Sequence, residues 1–136
     1  MKISTYPPPV YERAKELWGV DFNAGVVFTY SDTVHVASGT LTSDLAEHES
    51  THIRQQTTYP GGPDAWWEEY FTNPKFRLEQ EAEAYKAQLK HLVDVKGIRG
   101  KNQIFNLTRI LAHQLSGSMY GGCTDVLTAI NLIKNG

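Results

Sequence analysis

Cysteine is almost absent from this chain. Cys123 is the only one in 136 residues, so no internal disulfide can form, and a packed core or a bound ligand must hold the fold. A surplus of positive charge is missing too. Thirteen Lys and Arg against fifteen Asp and Glu leave a net charge of −2 with the histidines neutral. With no basic patch interleaved with aromatics, nothing suggests a nucleic-acid partner. Long apolar runs are also lacking, which argues against a membrane span. The opening "MKISTYPPPV" has no apolar stretch of the kind a secretory signal needs. A cytoplasmic protein is the expectation. No internal repeat occurs, and no biased tract beyond Pro7–Pro9. What is present is a chain of single-domain length, 40% apolar, enough for a modest core. One domain over 1–136 is expected.

Local signals divide the chain. Three prolines make residues 1–9 an extended lead-in. "VYERAKELW" (10–18) reads as a short helix stopped by Gly19. "GVVFTY" (25–30) and "TVHVAS" (33–38) are β-branched and aromatic, and Ser31-Asp32 between them suggests a hairpin. With Ser43 as N-cap, a helix is expected from about 42 to 57. "YPGGP" (59–63) reads as a loop, and "DAWWEEYF" (64–71) as a short helix with an aromatic face. Pro74 opens a longer helix to about residue 95, rich in Ala, Glu, Gln, Lys and Leu. Asn102 is the expected cap of "QIFNLTRILAHQL", 118–122 a turn, and 124–134 a last helix. The order is helix, hairpin, then five helices. The fold class is α+β: a small antiparallel sheet or hairpin followed by a mostly helical body.

The stretch "AEHESTHIRQQ" (46–56) carries the chemistry. Residues four apart on a helix are about 40° apart around its axis, so His48 and His52 share a face. Their imidazoles can approach one ion together. Glu49, one step on, need not bind the ion and can serve as general base for a metal-activated water.

Catalytic zinc ordinarily takes three protein ligands and leaves a fourth position open. The spacing H-E-x-x-H-x-x-G-x-x-H is not met, since Gln55 stands at the glycine position and Thr58 at that of the last histidine. His35, His91 and His113 each stand alone. The stretch "RLEQEAEAYKAQ" (77–88) offers Glu79, Glu81 and Glu83. Alternate helical residues lie about 200° apart, so Glu81 cannot share a face with either of the others. Glu81 falls on the stripe of Leu78, Ala84, Tyr85, Leu89 and Leu92. A lone carboxylate on an apolar, buried face is costly without a partner, and a zinc ion is such a partner. Glu79 and Glu83 fall on more exposed faces.

These two helices together resemble the gluzincin metallopeptidases. "EAEAYKA" (81–87) follows the layout of the second motif of the ImmA/IrrE-type peptidases, and "HESTHIRQQ" (48–56) is similar to the motif helix of small phage-encoded metallopeptidase-like proteins. "WWEEYF" and "LSGSMYG" strengthen the likeness to that last group, which would extend over most of the chain. The resemblance implies a zincin-like fold and a zinc hydrolase of peptide bonds, with His48, His52 and Glu81 as ligands and Glu49 as general base or acid. A peptide or protein is the implied substrate. Many relatives carry Asp or Asn where Tyr85 stands, as the group orienting a ligand histidine, so Tyr85 is either that partner or a packing residue.

Further residues lie around these motifs. Zincins often stabilise the oxyanion with a Tyr or His opposite the base, which makes Tyr120 a candidate; a packed turn aromatic is the other reading. The strand before the motif helix, "TVHVAS", is expected at the sheet edge, read either as a strand that pairs with an extended peptide or as an ordinary edge. Trp66, Trp67, Tyr70 and Phe71 read as core, and Cys123 as structural. A non-catalytic, zinc-bound structural or interaction module of phage origin is the competing function, and it would have no need of Glu49.

Overall fold

The computed structural model describes residues 1–117 and 120–135. Ser118, Met119 and Gly136 lie outside it, so the turn expected over 118–122 is described only from Tyr120 onward. The chain forms β1 (Lys2–Ser4), α1 (Tyr11–Trp18), a short 3-10 turn (Phe22–Ala24), β2 (Phe28–Tyr30), β3 (Thr33–His35), α2 (Ser43–Thr58), α3 (Gly62–Thr72), α4 (Pro74–Lys96), α5 (Lys101–Leu115) and α6 (Val126–Asn135). The α+β class and the helix–hairpin–five-helix order both hold. Among the described residues, no helix is long and apolar enough to cross a membrane.

The sheet is mixed rather than purely antiparallel, with strand order β1-β3-β2. β2 and β3 form the expected hairpin, Phe28 opposite His35 and Tyr30 opposite Thr33. The lead-in supplies an unexpected third strand: Lys2, Ile3 and Ser4 run parallel to β3, opposite Thr33, Val34 and His35. β3 is therefore the central strand. Both its edges are paired, so it is not the sheet edge and has no side on which a peptide could add. The strand beside α2 is β2.

Helix ends show where local signals won and lost. Asn73 caps α4 just ahead of Pro74, its side chain accepting from the N–H groups of Lys75 (3.1 Å) and Phe76 (3.3 Å), an arrangement worth about 1 kcal/mol. α2 starts one residue earlier than a Ser43 cap would place it. Thr42 is the N-cap, and the Ser43 hydroxyl is instead 3.1 Å from His91 Nε2 on α4. α5 begins after Gly100, so Asn102 lies inside the helix rather than capping it. α3 reaches back to Gly62 because Pro63 fits the first turn, leaving a connection shorter than the expected 59–63 loop.

Two apolar clusters flank α4. On one side Ala82, Tyr85 and Leu89 pack with Leu111, Ala112 and Leu115 of α5 and Ala129 and Ile133 of α6. On the other, Trp66, Trp67, Tyr70 and Phe71 of α3 pack with Ala14, Phe22 and Phe28. Each large side chain buried there contributes roughly 1.5–3 kcal/mol. α2 differs from both: its buried residues are His48, Glu49, Thr51, His52, Gln55 and Gln56, all polar. Burying such groups without partners costs about 1–3 kcal/mol each, so this face must be satisfied from outside the helix.

Candidate metal centre

α2 packs along α4, and this contact brings the two motifs together. His48 Nε2 lies 3.1 Å from Glu81 Oε1, and His52 Nε2 lies 3.2 Å from both Glu81 Oε1 and His48 Nε2. All three residues are buried. Ligand atoms about 2.0–2.1 Å from a tetrahedral zinc are roughly 3.3 Å from one another, so the three atoms already stand near the spacing of one face of such a tetrahedron.

The protons decide whether that geometry suits a cation. Gln88 donates its Nε2 to Asp44 Oδ2 (2.8 Å), which turns its Oε1 toward His48 Nδ1 at 3.0 Å. Gln55 donates its Nε2 to the Gln80 carbonyl (3.0 Å) and to Glu83 Oε1 (2.7 Å), which turns its Oε1 toward His52 Nδ1 at 2.8 Å. Each amide oxygen can only accept, so both imidazoles carry their proton on Nδ1. The two neutral rings then aim Nε2 lone pairs at one point, where a carboxylate oxygen also arrives. Three acceptors with no donor among them fit a divalent cation, and two imidazoles with a carboxylate suit zinc.

Without a cation, a proton is the substitute. Burial opposes charge on His52, but the Glu81 carboxylate outweighs it and pushes the His52 pKa up to about 9. Burial likewise opposes the charge on Glu81, and the two histidines overcome it, holding that carboxyl well below its usual range. The second oxygen of Glu81 accepts a hydrogen bond from Tyr70 Oη at 2.6 Å. Burial and Glu81 hold the Tyr70 phenol well above its ordinary range, so it stays a donor.

Glu49 sits beside the cluster and belongs to none of its three contacts. Its Oε2 accepts from Thr29 Oγ1 on β2 at 2.6 Å. Its Oε1 takes no hydrogen bond from the described residues, and no buried side-chain polar atom among them lacks a partner, so Oε1 is not sealed off. It lines a cavity of about 60 Å³ shared with His48, His52, Glu81 and Tyr120, room for a few water molecules. Trp18, Val20, Val26 and Val27 give this cavity an apolar wall.

Each candidate residue can now be placed. His48, His52 and Glu81 converge, with Glu49 adjoining them. Tyr120 lines the same cavity, its hydroxyl 2.6 Å from that of Tyr85. Burial first, and then Glu81, raise the Tyr120 phenol well above its ordinary range, so it remains protonated. His35, His91 and His113 join no such cluster among the described residues. Glu79 and Glu83 are exposed, although Glu83 also anchors Gln55. Tyr85 does not orient a histidine by hydrogen bonding. Its ring packs edge-on against His48, centroids 4.5 Å apart, and Gln88 takes the orienting role. Trp66, Trp67, Tyr70 and Phe71 are core as expected, but Tyr70 also serves Glu81. Gln55, Gln88, Tyr70 and Thr29 are the site residues that sequence reasoning missed. The spacing held a hint for two of them, since Gln55 lies three residues after His52 and Gln88 seven after Glu81.

No protein-family model, curated protein or solved structure matches the chain.

Proposed function

We propose that this protein is a zinc-dependent peptidase in which His48, His52 and Glu81 hold the ion and Glu49 is the general base. The observation that supports it best is the free Oε1 of Glu49, an oxygen that is not sealed off, on a buried residue beside three converging metal-type acceptors. A site that only stapled the fold together would have no use for that carboxylate.

Zinc held there supplies a Lewis acid that acidifies water and polarises a peptide carbonyl. The protein's own groups do the rest. Gln88 and Gln55 hold the imidazoles in one tautomer and one orientation. Tyr70 fixes the Glu81 carboxylate so that it presents Oε1. Thr29 pins Oε2 of Glu49, which leaves Oε1 to take the proton of the attacking water and deliver it to the departing amine nitrogen. Tyr120, a protonated phenol on the cavity wall, would donate to the oxygen of the carbonyl as negative charge builds there. The apolar wall lowers the local dielectric and strengthens each of these interactions.

The test is hydrolysis of a mixed peptide library by the protein loaded with zinc. Cleavage should stop on chelation and return when zinc is restored. Cleavage that persists in a metal-free sample would reject the proposal.

A further inference from the structure

The stripe of α4 that carries Glu81 carries two more residues at four-residue spacing, Arg77 before it and Tyr85 after it. Both reach Tyr120. Arg77 Nε donates to the Tyr120 carbonyl at 2.8 Å, while its Nη1 donates to the Tyr70 carbonyl at 2.6 Å. Arg77 is only 4% exposed, and its guanidinium lies over the rings of Trp18 (5.0 Å) and Tyr70 (5.9 Å). Among the described residues no carboxylate pairs with it. Burying a cation without an anion is expensive, so its retention here calls for a role that two backbone carbonyls and two aromatic faces define.

Gly121 shows how closely the chain lies on this cation. Its φ is +73°, and a Cβ there would stand 3.0 Å from Trp18 Nε1 and 3.1 Å from Arg77 Nη2. A side chain would both strain the backbone and push the Tyr120 segment off the guanidinium. At the other end of the residue, the Tyr120 hydroxyl meets that of Tyr85 at 2.6 Å. One proton of this pair lies between the oxygens and one is left over. Tyr85 has no other hydroxyl partner among the described residues, and Tyr120 rather than Tyr85 lines the cavity. Donation from Tyr85 to Tyr120 therefore leaves the Tyr120 O–H free to point into the site.

We infer that Arg77 and Tyr85 are positioning residues for Tyr120: one clamps its backbone and the other its hydroxyl, in fixed register with the ligand Glu81 on the same helix. This rests on the peptidase reading for its catalytic meaning, but its geometry can be tested without turnover.

The probe is acetohydroxamate added to the zinc-loaded protein, with binding followed by calorimetry and, after cobalt replacement, by the visible spectrum. Tyr120→Phe should weaken the probe by about tenfold, the worth of one good hydrogen bond. Tyr85→Phe, which keeps the ring against His48, should weaken it similarly, and the double variant should be no worse than either alone. Zinc affinity should stay within about twofold, because the two phenol hydroxyls bond each other and neither bonds a ligand or a glutamine that anchors one. Arg77→Lys, which cannot bridge both carbonyls in the same fork, should behave like Tyr85→Phe. In any peptide assay these variants should lower kcat and leave KM in place. Wild-type probe affinity in Tyr85→Phe together with loss in Tyr120→Phe would overturn the positioning role. Unchanged affinity in both would remove Tyr120 from the site. If the wild-type protein binds the probe with this pattern but cleaves no peptide, the peptidase reading fails and the clamp stands.

Discussion

His48 Nε2 and His52 Nε2 face each other at 3.2 Å, while the far nitrogen of each ring is held by a glutamine oxygen. Two nitrogen lone pairs do not approach so closely unless something positive lies between them and the carboxylate beside them. At neutral pH the candidates are a metal ion or a proton.

The two compete, and the sign of the competition is fixed. The metal-free His52 has its pKa raised from the ordinary 6.5 to about 9. Its charge therefore stabilises the metal-free fold fully below about pH 6.5, and that contribution is lost as the pH climbs through about 9. Zinc must expel this proton. Calorimetry at pH 7–8 in buffers of different ionisation enthalpy should show close to one proton released per ion, and affinity should rise about tenfold per pH unit in that range. Zinc binding with no proton release would mean that His52 is neutral before the ion arrives.

Glu81, and neither of its neighbours in "EQEAE", should set the affinity. Glu81→Gln should weaken zinc far more than Glu79→Gln, whose side chain is exposed. His48→Ala should abolish binding, and His91→Ala and His113→Ala should not alter it. Equal losses from Glu79→Gln and Glu81→Gln, read by competition with a chromogenic chelator, would contradict the ligand set.

The glutamines should matter almost as much as the ligands they hold. Gln88→Leu and Gln55→Leu each remove the acceptor of an imidazole N–H, and each should reduce zinc affinity by about 10- to 100-fold. Both should also destabilise the metal-free protein, because a buried N–H loses its partner. The check is a chelator titration beside a thermal melt. A variant that loses stability but binds zinc as the native protein does would limit its glutamine to packing.

What was legible in the sequence was local or periodic. His48, Glu49 and His52 follow from the helical repeat, and Glu81 stood out as a charge on an apolar stripe of α4. The β2–β3 hairpin was legible because its strands adjoin across two residues. The pairing of Lys2–Ser4 with β3 was not: three residues ahead of a proline run carry no alternation, and each pairs with a residue 31 positions further on. Gln88 and Gln55 were missed for a related reason. A glutamine on a helix looks like surface until the neighbouring helix is placed, and only the α2–α4 contact turns its oxygen into the anchor of a histidine. Tyr70 was hidden within an aromatic run whose packing role is real, since its ring is core and only its hydroxyl serves Glu81. Ser43 and Asn102 looked like caps, but Thr42 and Gly100 stand at those positions and the two side chains fall inside their helices.

The most direct measurement concerns Glu49. Glu49→Gln preserves the size of the side chain and leaves His48, His52 and Glu81 intact, so zinc content and thermal stability should match the native protein. The amide cannot accept a proton, and hydrolysis of a peptide library should fall by at least about 10²-fold. Zinc retained with cleavage lost is the result expected of a peptidase. Cleavage that survives in Glu49→Gln would place the base elsewhere, and zinc bound by both proteins with cleavage by neither would contradict the catalytic claim in favour of a metal-stabilised module.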